Sequence, residues 1–186
     1  MQRKIIFITG GARSGKSSFA LKEASGIKGP KAYIATAEAL DYEMKKRIEE
    51  HKRTRGDNWD TIEEPINIAD TLSDIRDKYS VVVIDCLTLW LSNVVLQSKN
   101  PGFSKLYPEE KIKELVDAIK KTKDPSPVTH HGSRLYIVSN EVGMGIVPDN
   151  PLAREFRDLA GSLNQKVAEA ADEVYLVTSG IPLQIK

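Results

Sequence analysis

Gly10-Gly11-Ala12-Arg13-Ser14-Gly15-Lys16-Ser17 is the stretch from which the fold is read. It satisfies the pattern G-x-x-x-x-G-K-[ST]. Ahead of it, Ile5-Ile6-Phe7-Ile8 is a short apolar run that predicts a buried strand. Behind it, Ser18-Phe19-Ala20-Leu21-Lys22-Glu23-Ala24 predicts the start of a helix. Strand, glycine-rich loop and helix in that order identify a phosphate-binding loop. Glycines let the backbone turn tightly, so that successive N–H groups converge on an anion. The helix N-terminus adds unpaired donors and the positive end of its dipole. In such a loop Lys16 reaches the β- and γ-phosphates of a nucleotide and the Ser17 hydroxyl ligates Mg²⁺.

Outward from this loop, strand and helix signals alternate. That alternation predicts an α/β fold with a mainly parallel sheet and helices on both faces, the architecture of a P-loop NTPase. The expected strands are 4–9, 32–35, 59–63, 81–84, 135–138 and 173–177, with a last edge strand near 182–185. The expected helices run over about 15–27, 41–53 with Asp41 as N-cap, 66–78, a stretch from Leu87 to Leu96, one marked by Ile112, Leu115, Val116 and Ile119, and 151–171. The 87–96 helix is apolar nearly all round, so it is expected in the core or at a subunit contact. A chain of 186 residues without a long Pro- or Gly-rich linker fits one domain spanning 1–186.

The bulk numbers narrow the function classes. A net charge of +1 gives no electrostatic case for a nucleic-acid partner or an acidic membrane surface. No apolar run approaches the ~20 residues of a membrane segment. The chain enters its first strand within four residues, which leaves no room for a signal peptide, and a single cysteine excludes an internal disulfide. A cytoplasmic protein is expected.

Three further positions carry chemistry. Asp85 ends the clearest buried strand, Val81-Val82-Val83-Ile84. A carboxylate at that place in a P-loop protein serves the nucleotide's Mg²⁺; its alternative role is a helix N-cap. His51 shares a helical face with Met44 and Ile48. It reads as part of a cationic helix C-terminus, or as a nucleophile with Lys52, Arg53 and Arg55 drawing a phosphate toward it. Asn140-Glu141-Val142-Gly143-Met144-Gly145-Ile146-Val147-Pro148 reads as a mobile loop over a ligand or as an ordinary packed turn. Arg154, Arg157 and Asp158 read as solvated charges or an intrahelical pair. His130-His131 lacks the acidic or cysteine partners of a metal site, and Cys86 reads as a buried, unreactive thiol.

Taken together, the motifs resemble those of the bifunctional adenosylcobinamide kinase/adenosylcobinamide-phosphate guanylyltransferase family of cobalamin biosynthesis. The resemblance spans nearly the whole chain. It rests on Thr9 followed by the P-loop; Tyr33-Ile34-Ala35-Thr36-Ala37; Asp41-x-Glu43-Met44 leading to Arg47-Ile48-x-x-His51; Arg55-x-x-x-Trp59-x-Thr61; Asp85-Cys86-Leu87-Thr88; Asn140 to Pro148; and Phe156-Arg157-Asp158-x-Ala160-Gly161-x-x-Asn164-Gln165.

The resemblance implies a RecA-like fold, a homotrimer and two transfers. The first moves a phosphate from ATP or GTP to the aminopropanol hydroxyl of adenosylcobinamide. The second moves GMP from GTP to that phosphate through a guanylyl-histidine, which falls on His51. It implies nucleotide contacts at Gly10, Gly11, Ala12, Arg13, Ser14, Gly15, Lys16 and Ser17, at Ala35, Thr36 and Ala37, at Lys52, Arg53, Thr54 and Arg55, and at Glu63 and Asp85. Lys16 and His51 are the expected catalytic residues, and Ser17 and Asp85 the expected Mg²⁺ ligands. Two rivals fare worse. A GTPase switch needs a glycine three residues after the acidic strand end and an Asn-Lys-x-Asp motif, and Asp85-Cys86-Leu87-Thr88 and Asn140-Glu141-Val142-Gly143 supply neither. A single-function kinase has no use for His51.

Overall fold

The run of Ile5, Ile6, Phe7 and Ile8 forms strand β1 (Lys4–Thr9), its apolar side chains fully buried. Ile5 and Phe7 face one apolar layer, Ile6 and Ile8 the other. That period-2 division of a wholly apolar run marks a strand covered on both faces. The structure, a computed structural model, describes residues 3–39, 42–56, 58–100, 107–124 and 132–186; the side chains of Arg47, His51, Thr54 and Arg55 are outside that description.

The chain continues through α1 (Lys16–Ser25), β2 (Lys31–Ala35), α2 (Tyr42–Arg55), β3 (Asp60–Glu63), α3 (Ile68–Ile75), β4 (Val81–Asp85), α4 (Leu87–Ser98), α5 (Pro108–Lys121), β5 (Arg134–Val138), α6 (Pro151–Ala170), β6 (Glu173–Thr178) and β7 (Ile181–Gln184). One sheet has the order β3-β2-β4-β5-β1-β6-β7. Its pairs are parallel except the last, where β7 runs antiparallel to β6. Side chains of α1 and of alternate strand positions form one apolar layer. Those of α3, α4, α5 and α6 form the larger one with Ile5, Phe7, Ile34, Val82 and Ile84. The apolar helix α4 belongs to this core: Leu87, Trp90, Leu91, Val94 and Val95 are buried, and the Trp90 indole N–H donates to the Ile66 carbonyl.

Several boundaries differ from expectation. The third helix is shorter at both ends: it starts at Ile68, where the Glu64 carboxylate accepts from the N–H groups of the preceding Ile66 and Asn67, and it ends at Ile75, where the Arg76 N–H turns back to the Ser73 carbonyl. The strand expected from Trp59 starts at Asp60, and Trp59 is buried edge-on against Tyr33. The expected N-cap Asp41, and His130 and His131, lie outside the described residues. Among the described residues no helix is long and apolar enough to cross a membrane.

Candidate nucleotide site

All parallel strands deliver their carboxyl ends to one rim of the sheet, where α/β proteins bind ligands. There β1 runs into the glycine loop, β2 into Thr36 and Ala37, β4 into Cys86, and β5 into Ser139 and Asn140. Together with the exposed helix α2 they surround a cavity of about 650 Å³.

The loop shows why its glycines are required. Gly10 has φ +148°, and a Cβ there would lie 2.2 Å from the Val177 carbonyl oxygen. Gly15, at φ +98°, stands before the first residue of α1. Its absent Cβ would sit 3.2 Å from the Gly180 Cα, and the Gly180 N–H donates to the Ser14 carbonyl at 2.8 Å. The turn between β6 and β7 therefore forms the outer wall of the loop. Lys16 is buried, and its ammonium donates to the Gly11 carbonyl at 2.6 Å and reaches Ser14 Oγ at 3.4 Å.

Asp85 stands two strands from β1, since β5 intervenes; the lateral offset is roughly 10 Å at ordinary strand spacing. Its Oδ2 accepts from the Tyr33 hydroxyl at 2.6 Å. The N-cap alternative for Asp85 is overturned, because the backbone turns one residue later and Cys86 occupies that position. Thr36 is completely buried behind the cavity wall. Its Oγ1 accepts from the Cys86 N–H at 2.8 Å and donates to the Cys86 carbonyl at 2.7 Å, so it locks the end of β4 to the end of β2. Burial, and after it the charge of Asp85, pushes the Cys86 thiol up to about 11, the unreactive state expected from sequence.

Of the expected site residues, Gly10, Gly11 and Thr36 are not among the lining of that cavity, and the others fall into two groups. Ala12, Arg13, Ser14, Gly15, Lys16, Ser17, Ala35, Ala37 and Asp85 line one cavity. Lys52, Arg53 and Glu63 are not among its lining residues: Lys52 pairs with the Glu63 carboxylate, and Arg53 is exposed. That pair ties α2 to the end of β3. His51 belongs by its backbone to α2, one turn beyond Ile48; its side chain, like those of Thr54 and Arg55, is outside the described residues.

Residue-level reading missed Tyr33 as the partner of Asp85, and the walls supplied by Met44, Ile48 and Leu89. It also missed Thr88, whose hydroxyl accepts from the Asn140 N–H at 2.6 Å and so fixes the start of the next loop. A tyrosine inside an apolar strand was the visible signal for the first. Residues 140–148 form no helix or strand, and Met144, Ile146 and Val147 point to solvent. Arg154 is half-buried and turns back toward the loop: its guanidinium donates to the Pro148 and Asp149 carbonyls at 2.8 and 2.7 Å and ties the loop to α6.

Ser17 and Asp85 are oxygen donors on one cavity, and the described residues hold no cluster of three His, Cys, Asp or Glu side chains that would cage a metal. This donor set fits Mg²⁺, which is commonly held by one or two protein oxygens plus substrate phosphates.

Comparison with known proteins bears on this site as a whole. Residues 6–185 match the model of a family described as cobinamide kinase / cobinamide phosphate guanyltransferase. The chain is similar to the bifunctional adenosylcobalamin biosynthesis protein CobU of Escherichia coli (38% identity, 98% of this chain and 99% of the relative). It is likewise similar to CobP of Pseudomonas aeruginosa, which is given the same description (37% identity, 96% and 95%), and to CobU of Salmonella typhimurium (39%, 98% and 99%). Among solved structures it resembles a prototypical ATPase of a bacterial type III secretion system (TM-score 0.57, 15% identity, 95% of this chain and 51% of that one). It also resembles the assembled ATPase EscN of enteropathogenic E. coli (TM-score 0.58, 14% identity, 95% and 43%). The chain spans about half the length of those ATPases or less, and the likeness bears on fold alone: it bears out the RecA-like P-loop architecture.

Proposed function

The chain belongs to the cobinamide kinase / cobinamide phosphate guanyltransferase family, and from that premise we propose how its residues divide the work. The protein is a bifunctional transferase of cobalamin biosynthesis, a cobinamide kinase and a cobinamide-phosphate guanylyltransferase. The observation that carries the site assignment is the joining of residues 12–17, Ala35, Ala37 and Asp85 around one cavity with the face of α2 that bears Met44 and Ile48.

In this reading the triphosphate of GTP or ATP lies against the backbone N–H groups of residues 10–17, and Lys16 neutralises charge that develops on the transferred and leaving phosphates. Ser17 and Asp85 would hold Mg²⁺, and the ion would withdraw charge from the phosphates. For the kinase step, the aminopropanol oxygen of adenosylcobinamide bonds to the γ-phosphorus, the bond to the β–γ bridging oxygen breaks, the nucleoside diphosphate leaves and the hydroxyl proton passes to solvent.

For the second transfer His51 acts as nucleophile. An imidazole nitrogen bonds to the α-phosphorus of GTP, the bond to the bridging oxygen breaks, pyrophosphate departs, and the imidazole proton passes to solvent. A neutral imidazole is a competent nucleophile near pH 7. A phosphate oxygen of adenosylcobinamide phosphate then attacks the same phosphorus, the P–N bond breaks, and adenosylcobinamide-GDP leaves His51 free. Arg53, Thr54 and Arg55 are assigned to the nucleotide from the same helix, and the Lys52–Glu63 pair to holding that helix in place. We further assign the enzyme to the cytoplasm, as a homotrimer.

The test uses GTP labelled at the α-phosphate with no acceptor present. Acid-labile label is expected on the unaltered protein and is absent from His51→Ala. Label that persists in the variant removes His51 from the mechanism, and no label on either protein leaves a kinase alone.

A further inference from the structure

The acceptor needs a place beside the nucleotide, and the cavity lined by the P-loop is shaped for phosphates. A second open cavity, of about 540 Å³, lies between residues 143–147 and the middle of α6. Gly143, Gly145 and Gly161 leave its walls low, and Arg157, Ser162 and Gln165 supply polar groups. Arg157 stands 4.0 Å from the Asp158 carboxylate, so the charges balance. The cavity lies along the middle of its helix rather than at the N-terminus, and therefore lacks the row of free N–H groups that an anion would seek. Val147 is the apolar side chain that lines the cavity, and its chain neighbour Ile146 is 97% exposed. Such a mixture suits one edge of a large ligand that carries both amides and methyl groups.

One hydrogen bond joins the segments that carry the two cavities. Asn140 lines the nucleotide cavity, and its carbonyl accepts from the Asn164 carboxamide at 3.1 Å. Asn164 is the neighbour of Gln165 in the second cavity. The next residue, Glu141, donates its N–H to the Gly10 carbonyl at 2.9 Å, so the loop leaves directly from the phosphate loop.

We propose that this second cavity seats one edge of the corrinoid acceptor. Gln165, Ser162 and Arg157 hydrogen-bond its peripheral carboxamides, and Ile146 and Val147 lie against its methyl groups. The aminopropanol arm then reaches past Asn140 to the phosphates. The cavity is too small for the whole ring, so the rest of the corrin lies over the exposed loop. This assignment rests on the family-based function above.

Ile146→Ser and Gln165→Ala, singly and together, test it. Cobinamide binding is measured by equilibrium dialysis, read from its own colour, and self-labelling from α-labelled GTP is measured in parallel without acceptor. The double variant is expected to bind cobinamide about tenfold more weakly, as loss of a hydrogen bond and an apolar contact implies, with self-labelling like the unaltered protein. Ile146→Ser alone changes an exposed side chain, so weaker binding by that variant reports contact rather than misfolding. Unchanged cobinamide binding with intact labelling overturns the assignment while the enzyme activity stands. If the unaltered protein neither labels nor binds cobinamide, the parent reading falls and takes this one with it.

Discussion

At the scale of single residues, the Tyr33 hydroxyl is the group that orients Asp85. Removing it in Tyr33→Phe leaves Asp85 Oδ2 without its 2.6 Å donor. Since partners behind a metal ligand typically tune affinity by about tenfold or more, the Mg²⁺ concentration for half-maximal phosphate transfer is expected to rise by about that factor. An Mg²⁺ titration of initial rates checks it; an unchanged curve would detach Asp85 from the metal. Asp172 offers a second measurable case. Its Oδ2 accepts from the Ile5 N–H and its Oδ1 from Lys123, both at 2.7 Å. Burial alone would raise its pKa, but the Ile5 and Lys123 bonds outweigh burial and hold it below the ordinary 3.8. The folded state therefore favours the carboxylate. Its stabilisation is complete above the ordinary value and is lost as pH falls through the lowered one. Asp172→Asn is expected to be less stable at neutral pH and to lose less on acidification below about pH 4. Urea midpoints at pH 7 and pH 3 for the two proteins read this directly, and parallel losses would clear Asp172.

Among the elements, legibility followed locality. β1, the glycine loop and α1 are contiguous, and each was readable because its cause lies within its own few residues. The same holds for β4, four consecutive β-branched residues buried on both faces. The start of the 66–78 helix was placed too early because its apolar spacing includes Ile66, while the Glu64 carboxylate that accepts from the Ile66 and Asn67 N–H groups acts on the backbone. The start of α6 shows the opposite case, a boundary readable at once: Asn150 caps it by accepting from the N–H groups of Leu152 and Ala153, and Pro151 follows in the first turn. Asn150→Ala is expected to cost about 1 kcal/mol, seen as a lower melting temperature. Because the loop it anchors borders the proposed corrinoid cavity, the same variant is expected to weaken cobinamide binding more than GTP binding. Equal weakening would assign the cap to general stability alone.

For the molecule as a whole, the site was legible only in pieces. The Tyr33–Asp85 bond requires the register of β2 on β4, with Ala35 opposite Asp85, and no local pattern encodes a register between strands that far apart. The second cavity needs the loop after β5 folded back on α6. The proposed three-fold assembly is also a property of the whole: light scattering is expected to return three times the chain mass, and a monomer at assay concentration would remove the trimer from the proposal. One consequence of the sheet order concerns time rather than space. β1 pairs with β5 and β6, Lys4 opposite Arg134 and Ile6 opposite Glu173, and the outer wall of the glycine loop is Gly180. During synthesis the loop's own sequence leaves the ribosome long before any of these partners, so the stretch that is easiest to recognise is among the last to become a site. Until then Ile5 to Ile8 form an apolar strand without neighbours, open to wrong pairing. Such non-local closure is slow, and nucleotide binding is expected to appear only with the final step of refolding.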